Sequence, residues 1–473
     1  MKIKHNDLVI DKKNPFSNCQ LDREQYANIL TSIVQNYENG FVMALNGEWG
    51  TGKTTFVKMW ERQLKNNGYR TMYFNAWEND FEMEPLIAIL GELKKLIGDR
   101  DKTAFNSLLE KAVIISKNVL PALAKAVAEK YFDAKVAQKV IESSFDAATD
   151  VLVKEVDNYV NKKQGLADFK VELEKYIKGN NNGKPVVFII DELDRCRPDY
   201  AVEVLEKIKH FFSVEGIVFV LSIDKIQLGN SIQGYYGSDK INTNEYLRRF
   251  IDIEYQLPNP DKDKFCEYLY KYYQFEDFFN LPDRNHADLR SNGQDFIIFT
   301  SILFVKHKYT LRQQEKLFAH SRIVLNTFST NSYVFPELLF LLIHIRDFDT
   351  QFYNDIKSKK LTIQELVTKI ESLFKILLDN NIRNEYLLFT STESLFILFY
   401  YNYFFKDIYD NDYHLIKIVE DGKKELNFST ESTDKDVNNK LLEGIIYYQN
   451  KYSFNGKDIS FLLKKIDLIE NIK

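Results

Sequence analysis

The residues with the clearest chemistry form a glycine-rich loop. Residues Gly47 to Thr54 read G-E-W-G-T-G-K-T, a complete G-x4-G-K-T sequence. An apolar run, Phe41 to Leu45, precedes the loop, and a helix-compatible stretch, Lys53 to Leu64, follows it. This strand–loop–helix context separates a phosphate cradle from a chance match. Glycines let backbone N–H groups approach phosphate oxygens, and the new helix directs its positive end at the same anion.

The polar residues of the loop have separate roles in such a cradle. Lys53 is expected to reach the β- and γ-phosphates of a nucleoside triphosphate, and the Thr54 hydroxyl to ligate magnesium. We predict that ATP and Mg2+ bind here, and that the loop contacts the nucleotide through Gly47, Glu48, Trp49, Gly50, Thr51, Gly52, Lys53, Thr54 and Thr55. The alternative is a glycine-rich turn with no ligand.

Two acids follow a second apolar run. Residues 185–190 read P-V-V-F-I-I and lead into Asp191 and Glu192. A continuous apolar run is typical of a parallel strand buried on both faces, and such sheets bind ligands at the carboxyl ends of their strands. Asp191 is therefore predicted to hold the magnesium shell through water, and Glu192 to orient and deprotonate the attacking water. Without the phosphate loop, the same pair would indicate an ordinary solvated turn.

The sequence also indicates which nucleotide binds and whether it is hydrolysed. It contains no Asn-Lys-x-Asp guanine-reading sequence and no Asp-x-x-Gly at the strand end, so ATP is predicted rather than GTP. An acid directly beside the magnesium residue favours hydrolysis over binding alone.

Positive charge is needed at the γ-phosphate during transfer. The candidates are Arg195, Arg248 and Arg249 as catalytic residues, and Arg312 as a nucleotide contact from a later helix. Arg195 has an alternative interpretation as the ion-pair partner of Asp194 or Asp199. The other three have alternative interpretations as solvated helix ends or surface residues.

Further polar residues end the neighbouring strands. Ser222 and Asp224 follow the next apolar run and are candidates to contact the γ-phosphate or the water. A cap for the helix that follows is the alternative for this pair. Asn75 and Trp77 end the second strand and are interpreted mainly as packing residues beside the loop.

Strands alternate with helices over the first half of the chain, which predicts an α/β fold with a doubly wound, mostly parallel sheet. After Pro258-Asn259-Pro260 the pattern becomes helical and aromatic, with no clear strand, and Ser429 to Lys440 is predicted to be a loop. We expect a P-loop core over 1–260, a helical insert in it over 101–178, a helical lid over 261–330 and a C-terminal helical domain over 331–473.

Composition limits the class of protein. The 473 residues carry a formal net charge of -5, which gives no global basic field for nucleic acid, although a local basic patch stays open. No run approaches the roughly 18 apolar residues that span a bilayer. Cys19, Cys196 and Cys266 lack paired metal spacing and fit a reducing cytoplasm. We therefore predict a cytoplasmic protein that does not insert into a membrane.

Several motifs together resemble the KAP family of P-loop NTPases over about residues 8–260. They are Gly47–Thr55, Phe74–Trp77 (F-N-A-W), Phe188–Pro198 (F-I-I-D-E-L-D-R-C-R-P), Leu221–Asp224 and Tyr246–Phe250. The resemblance implies an ATPase core of the additional-strand, catalytic-acid class. Many members carry membrane helices between the two nucleotide motifs, where the insert of this chain is too charged. Members usually have Asp-Asp where this chain has Asp191-Glu192, which still supplies a base.

The resemblance also implies a biological role, because bacterial members are often linked with defence against phage or mobile elements. We therefore expect a nucleotide-dependent switch or motor subunit that signals to a protein partner or effector, with homo-oligomer formation left open. One alternative is a nucleotide-gated scaffold with little turnover. Another is a DNA-acting motor, which the acidic charge balance disfavours.

Overall fold

The computed structural model describes residues 8–37, 40–81, 183–209, 214–286, 288–378, 383–405, 413–419, 422–431, 435–452 and 458–468, with short pieces between 85 and 93 and between 164 and 177. The chain divides into two compact units, Asp7–Asn259 and Pro260–Lys473. Each unit has its own core and is described separately.

The described part of the first unit contains a five-stranded parallel sheet. Its strands are β1 (Phe41–Asn46), β2 (Thr71–Asn75), β3 (Val186–Asp191), β4 (Ile217–Ile223) and β5 (Ile253–Gln256). Their order is β2-β3-β4-β1-β5, and every neighbouring pair is parallel. Strand β4 lies between β1, which leads into the loop, and β3, which ends at the acids. This additional strand and the parallel sheet confirm the predicted fold class.

Helices cover both faces of the sheet. They are α1 (Glu24–Asn36), α2 (Lys53–Asn66), α3 (Pro198–Ile208), α4 (Lys225–Tyr236) and the short α5 (Thr243–Leu247). Alternate residues of each central strand point to opposite faces. Met43 and Ile189 pack with Trp60 on one side, whereas Ala44 and Phe188 belong to the core on the other. This two-sided burial explains why the sequences of β1, β3 and β4 are almost entirely apolar.

One strand is shorter than expected. The sequence predicts a strand over Phe250–Leu257, but β5 begins only at Ile253. The backbone N–H groups of Phe250 and Ile251 donate to the Leu247 carbonyl, so these residues continue the turn that follows α5.

The predicted helical insert, 101–178, lies almost entirely outside the described residues. Residues 167–175 are described and helical, and Phe169 and Leu173 are buried in the core of the first unit. The last turns of the insert therefore pack beside the sheet.

The second unit is mainly helical, as predicted. Its described helices are α6 (Lys262–Tyr272), α7 (Glu276–Phe279), α8 (Asn292–Lys306), α9 (Leu311–Leu325), α10 (Pro336–Phe348), α11 (Thr350–Lys357), α12 (Ile363–Leu378), α13 (Arg383–Phe405), α14 (Lys435–Tyr452) and α15 (Ser460–Ile466). Aromatic rings fill its core, with Phe275, Phe296 and Phe318 within 5.6 Å of one another between ring centroids. The aromatic residues named here are thus buried packing groups.

The second unit departs from expectation in two places. Two short antiparallel strands, β6 (Ile416–Ile418) and β7 (Lys424–Leu426), occur where no strand was expected. The predicted loop over Ser429–Lys440 ends early because α14 begins at Lys435. Leu441 and Ile445, one turn apart, bury the inner face of that helix.

The predicted lid and C-terminal domain lie in one unit. Helix α8, from the lid range 261–330, packs against α10 and α13, from the range 331–473. A lid that moves by itself stays a prediction. Among the described helices, none is both long and apolar enough to cross a bilayer.

Candidate nucleotide site

The loop between β1 and α2 has the backbone conformation that its glycines allow. Gly50 and Gly52 have φ of 78° and 82°, in the left-handed region that favours glycine. A Cβ added at Gly47 would lie 3.3 Å from Lys53 Cδ and 3.4 Å from Thr51 Oγ1, which is a tight fit. Successive N–H groups in such a turn form a concavity that binds anions, and α2 begins at Lys53 directly behind it.

Lys53 lies inside the loop. Its side chain is buried, and Nζ donates hydrogen bonds to the backbone oxygens of Gly47 and, at 3.0 Å, Glu48. Burial lowers the pKa of Lys53, while Asp194 and Asp224 are the main groups that oppose this change. The ammonium group therefore lies where the loop would hold a phosphate. To bind that phosphate, it would have to give up its two hydrogen bonds to the loop carbonyls.

Asp191, the last residue of β3, is 1% exposed. The Tyr73 hydroxyl donates to its Oδ2 at 2.8 Å. Burial raises the pKa of Asp191, whereas the hydroxyls of Ser222, Tyr73 and Thr54 lower it. A desolvated carboxylate surrounded by hydroxyls is suited to a cation, which would restore its ionised form.

Glu192 brings the two nucleotide motifs together. Its Oε1 accepts a hydrogen bond from Thr54 Oγ1 at 3.3 Å and pairs with Arg195, and its Oε2 accepts from Asn75 Nδ2 at 3.1 Å. Its φ is 62°, a left-handed conformation that is costly for a residue with a side chain. The strained backbone aims the carboxylate back toward the loop hydroxyl.

Trp49 connects the loop to two further acids. Its indole N–H donates to Asp194, and its backbone N–H donates to Asp224 Oδ2 at 3.2 Å. Asp224 also caps α4 by accepting from the N–H groups of Ile226 and Gln227. The capping interpretation of Asp224 therefore holds, and the same side chain also supports the loop. Burial raises the pKa of Asp194, opposed first by the Trp49 hydrogen bond.

The remaining predicted loop and strand residues lie nearby. Thr51 Oγ1 donates to the Glu48 carbonyl at 2.8 Å, and Thr55 lies in the first turn of α2. Ser222 is fully buried and lies opposite Asp191 in the sheet register. Contact of these residues with a nucleotide stays a prediction.

The arginines separate into different environments. Arg195 pairs with Glu192, rather than with Asp194 or Asp199, and its guanidinium carbon lies 5.8 Å from the Trp77 ring centroid. Because Arg195 lies beside Glu192, it stays a candidate to contact the γ-phosphate of a bound nucleotide.

Arg248 is exposed and pairs with Glu245 at 2.6 Å, and Arg249 is exposed in the same turn. Arg312 is the second residue of α9 in the other unit. A nucleotide role for these three residues stays a prediction.

Sequence reasoning missed one buried contact of the loop. Arg23, the residue before α1, donates to the backbone oxygens of Thr51 at 2.7 Å and Gly52 at 3.1 Å. No local pattern marks this residue, because its partners lie 28 and 29 positions further along the chain.

The donor set fits magnesium. Among the described residues, no group of three or more His, Cys, Asp or Glu side chains could hold a metal ion. Thr54 and Asp191 instead offer one hydroxyl and one carboxylate side by side, an oxygen set that leaves most positions to phosphate and water. Mg2+ usually binds proteins in this way.

A parallel sheet with an additional strand, a glycine loop and an acid pair that contacts the loop hydroxyl defines a P-loop NTPase. Residues 23–313 match the family described as the KAP family P-loop domain, and the chain belongs to this family.

Comparison with curated proteins and with solved structures does not define the function further. No curated protein matches the chain. The solved structure of the Aeropyrum pernix ORC2 protein, in ADPNP-ADP complexes, is similar to this chain at 12% identity with a TM-score of 0.34, over 91% of this chain and 95% of that chain.

Proposed function

We propose that this protein binds ATP with Mg2+ at residues 47–55 and hydrolyses it with Glu192 as the general base. The observation that carries the proposal is the hydrogen bond of 3.3 Å between Thr54 Oγ1 and Glu192 Oε1. Through this hydrogen bond, the acid that directly follows β3 contacts the first turn of the phosphate-loop helix, although the two residues are far apart in sequence. A purely structural glycine turn requires no such contact.

Each residue has a defined task in this proposal. Lys53 exchanges its loop carbonyls for phosphate oxygens, and the N–H groups of the loop hold the same phosphates. Thr54 and Asp191 hold Mg2+, which when bound neutralises charge on the phosphates. Glu192 takes a proton from the attacking water, and Asn75 fixes its orientation through Oε2.

Arg195 links two steps of the reaction. In the structure its guanidinium is engaged by the Glu192 carboxylate. If Arg195 turns to the γ-phosphate, it supplies positive charge there and releases Glu192 to act on water. The proposal therefore includes Arg195 as the cation nearest the reaction.

The biological part of the proposal is a switch or motor subunit in bacterial defence against phage or mobile elements. Membership of the KAP family supports it. We further propose a cytoplasmic location, consistent with three unpaired cysteines, and a protein effector, with self-association as the way in which Arg248 or Arg249 would reach a neighbouring site.

A second candidate function is a nucleotide-gated scaffold with little turnover. The observation that favours it is the restraint on Glu192, whose carboxylate is already engaged by Thr54, Asn75 and Arg195. If that restraint persisted with ATP bound, binding would proceed and hydrolysis would be slow.

The test compares phosphate release by the wild-type protein, Glu192→Gln and the control Glu443→Gln. General-base catalysis contributes on the order of 100-fold or more, so Glu192→Gln should lose at least ~100-fold in steady-state rate and still bind ATP. Glu443 is an exposed partner of Lys440 in the second unit, so Glu443→Gln should hydrolyse ATP at the wild-type rate.

Three outcomes separate the candidate functions. Equal rates for Glu192→Gln and wild type would exclude Glu192 as the base. Wild-type protein that binds ATP and releases no phosphate supports the scaffold. Phosphate release that requires Glu192 supports the ATPase.

A further inference from the structure

The phosphate loop is held from outside by a buried arginine. Arg23 is 3% exposed, and its two terminal nitrogens donate to consecutive loop carbonyls, those of Thr51 and Gly52. The Gly52 carbonyl also accepts the N–H of Phe56 as the first hydrogen bond of α2. One guanidinium thus spans the junction between the loop and its helix.

This contact matches what an anion-binding loop needs. When consecutive N–H groups turn inward to bind an anion, the carbonyls of the same peptide units face outward. Buried outward carbonyls need donors of their own, because an unpaired polar group in the interior is costly. Arg23 supplies two donors in a planar fork, which suits a pair of neighbouring carbonyls.

The charge on Arg23 has no carboxylate partner within the described part of the chain. Its two hydrogen-bond acceptors are neutral carbonyls, and its Nε lacks a hydrogen-bond partner. Burial lowers the pKa of Arg23 to about 10, so the group stays positive at pH 7. A buried positive charge without a counterion destabilises the protein unless an anion binds close by.

We propose that Arg23 is a positioning residue for the phosphates, which fixes the outward carbonyls of the loop and adds a buried positive charge behind it. This inference rests on the proposed binding of a nucleoside triphosphate at residues 47–55. In this proposal, a residue outside both nucleotide motifs contributes to phosphate affinity through the loop that it holds.

Arg23 also joins the loop to the N-terminal segment, residues 8–22. This segment packs along α2, where the rings of Phe16 and Phe56 lie 6.3 Å apart between centroids. The Lys12 carbonyl accepts from Arg62 Nε at 3.1 Å and from Asn66 Nδ2 at 2.9 Å. The segment is therefore anchored to the phosphate-loop helix at one end and continues into Arg23 at the other.

Arg62 provides a matched control. It holds the same segment through one backbone carbonyl but makes no hydrogen bond to the loop carbonyls that Arg23 holds. A general loosening of the segment would affect variants of both arginines, whereas the proposed role affects only variants of Arg23.

The experiment measures binding of MgATP and of inorganic pyrophosphate by calorimetry to wild type, Arg23→Ala, Arg23→Lys and Arg62→Ala. Hydrogen bonds to charged groups predict a loss of about tenfold or more in affinity for both ligands in Arg23→Ala. Arg23→Lys should recover part of the loss, since it restores the charge but not the fork. Arg62→Ala should bind both ligands as wild type does.

The outcomes decide between the two proposals. Wild-type binding by a folded Arg23→Ala variant, or equal losses in the Arg23 and Arg62 variants, would overturn the role of Arg23 and leave nucleotide binding intact. Wild-type protein that ignores both ligands would overturn nucleotide binding and this inference together. If Arg23→Ala does not fold, Arg23→Lys carries the test, with weaker pyrophosphate binding at an unchanged melting temperature as the supporting result.

Discussion

Three donors from different segments hold the Glu192 carboxylate. Thr54 belongs to the phosphate-loop helix, Asn75 ends β2, and Arg195 follows the acids on a short turn. The position of the acid is therefore set by α2, by the end of β2 and by the turn that follows β3, rather than by its own segment alone. At the scale of the residue, the orientation of the Glu192 carboxylate depends on groups that belong to separate sequence motifs.

Asn75 should act by positioning Glu192. In Asn75→Ala the Oε2 atom loses its amide donor, so the acid should be misaligned while the loop still grips the phosphates. We expect kcat for ATP hydrolysis to fall about tenfold, in line with one lost hydrogen bond, and KM to change little. Steady-state kinetics with purified protein measures both.

The matched control is Asn79→Ala. Asn79 donates to the Asn75 backbone carbonyl at 2.8 Å in the same turn but does not touch the acid. Equal losses of kcat in the two variants would show that the turn as a whole matters and that the Asn75 amide has no special role.

Residue roles differ in how far the sequence reveals them. The spacing of glycines, Lys53 and Thr54 is a local pattern, so the sequence alone predicts it. The contact of Arg195 with Glu192 is also local, but two other acids nearby made its partner ambiguous. Arg23 leaves no pattern, because its contacts depend on how α1 is placed against the loop.

The secondary-structure elements likewise divide into those that the sequence predicts and those that it does not. Continuous apolar runs predict β1, β3 and β4, because each strand is buried on both faces of the sheet. The start of β5 and the short strands β6 and β7 were not predicted, since three or four half-exposed residues carry little periodicity. No local pattern places β4 between β1 and β3, and only the family resemblance implied this additional strand.

Helices α12 and α13 carry two neighbouring acids, Glu371 and Glu393, that make the stability of the protein depend on pH. Burial, and secondly the neighbouring Glu371, raises the pKa of Glu393 well above its ordinary value of 4.5. Above pH 4.5 the unfolded chain therefore releases the Glu393 proton, whereas the folded protein keeps it up to a higher pH. The contribution of Glu393 to stability is present at low pH and falls as pH rises toward the folded pKa.

Replacing Glu393 by Gln removes this titration. Glu393→Gln should gain stability relative to wild type as pH rises from 5 to 8, because the wild-type carboxyl must either keep its proton or ionise in the interior, whereas the amide does neither. Urea unfolding at several pH values measures the difference.

Glu365 on α12 serves as the control, because it is exposed and backbone and side-chain hydrogen bonds from Thr362 lower its pKa. Glu365→Gln should show no such gain between pH 5 and 8. A difference between Glu393→Gln and wild type that is constant over this range would contradict the assignment.

In the whole molecule, the family match and the structural division do not coincide. The match ends at residue 313, whereas the first compact unit ends at Asn259. Helices α6 and α8 therefore belong to the family region in sequence and to the helical unit in structure.

Calorimetric titration of MgATP into wild-type protein and Lys53→Ala tests the central claim most directly. Lys53 supplies the buried ammonium of the loop, so the account predicts saturable binding to wild type and an affinity on the order of 100-fold lower, or no detectable heat, for Lys53→Ala. Absence of binding to folded wild-type protein, or equal binding by both proteins, would contradict a phosphate site at residues 47–55.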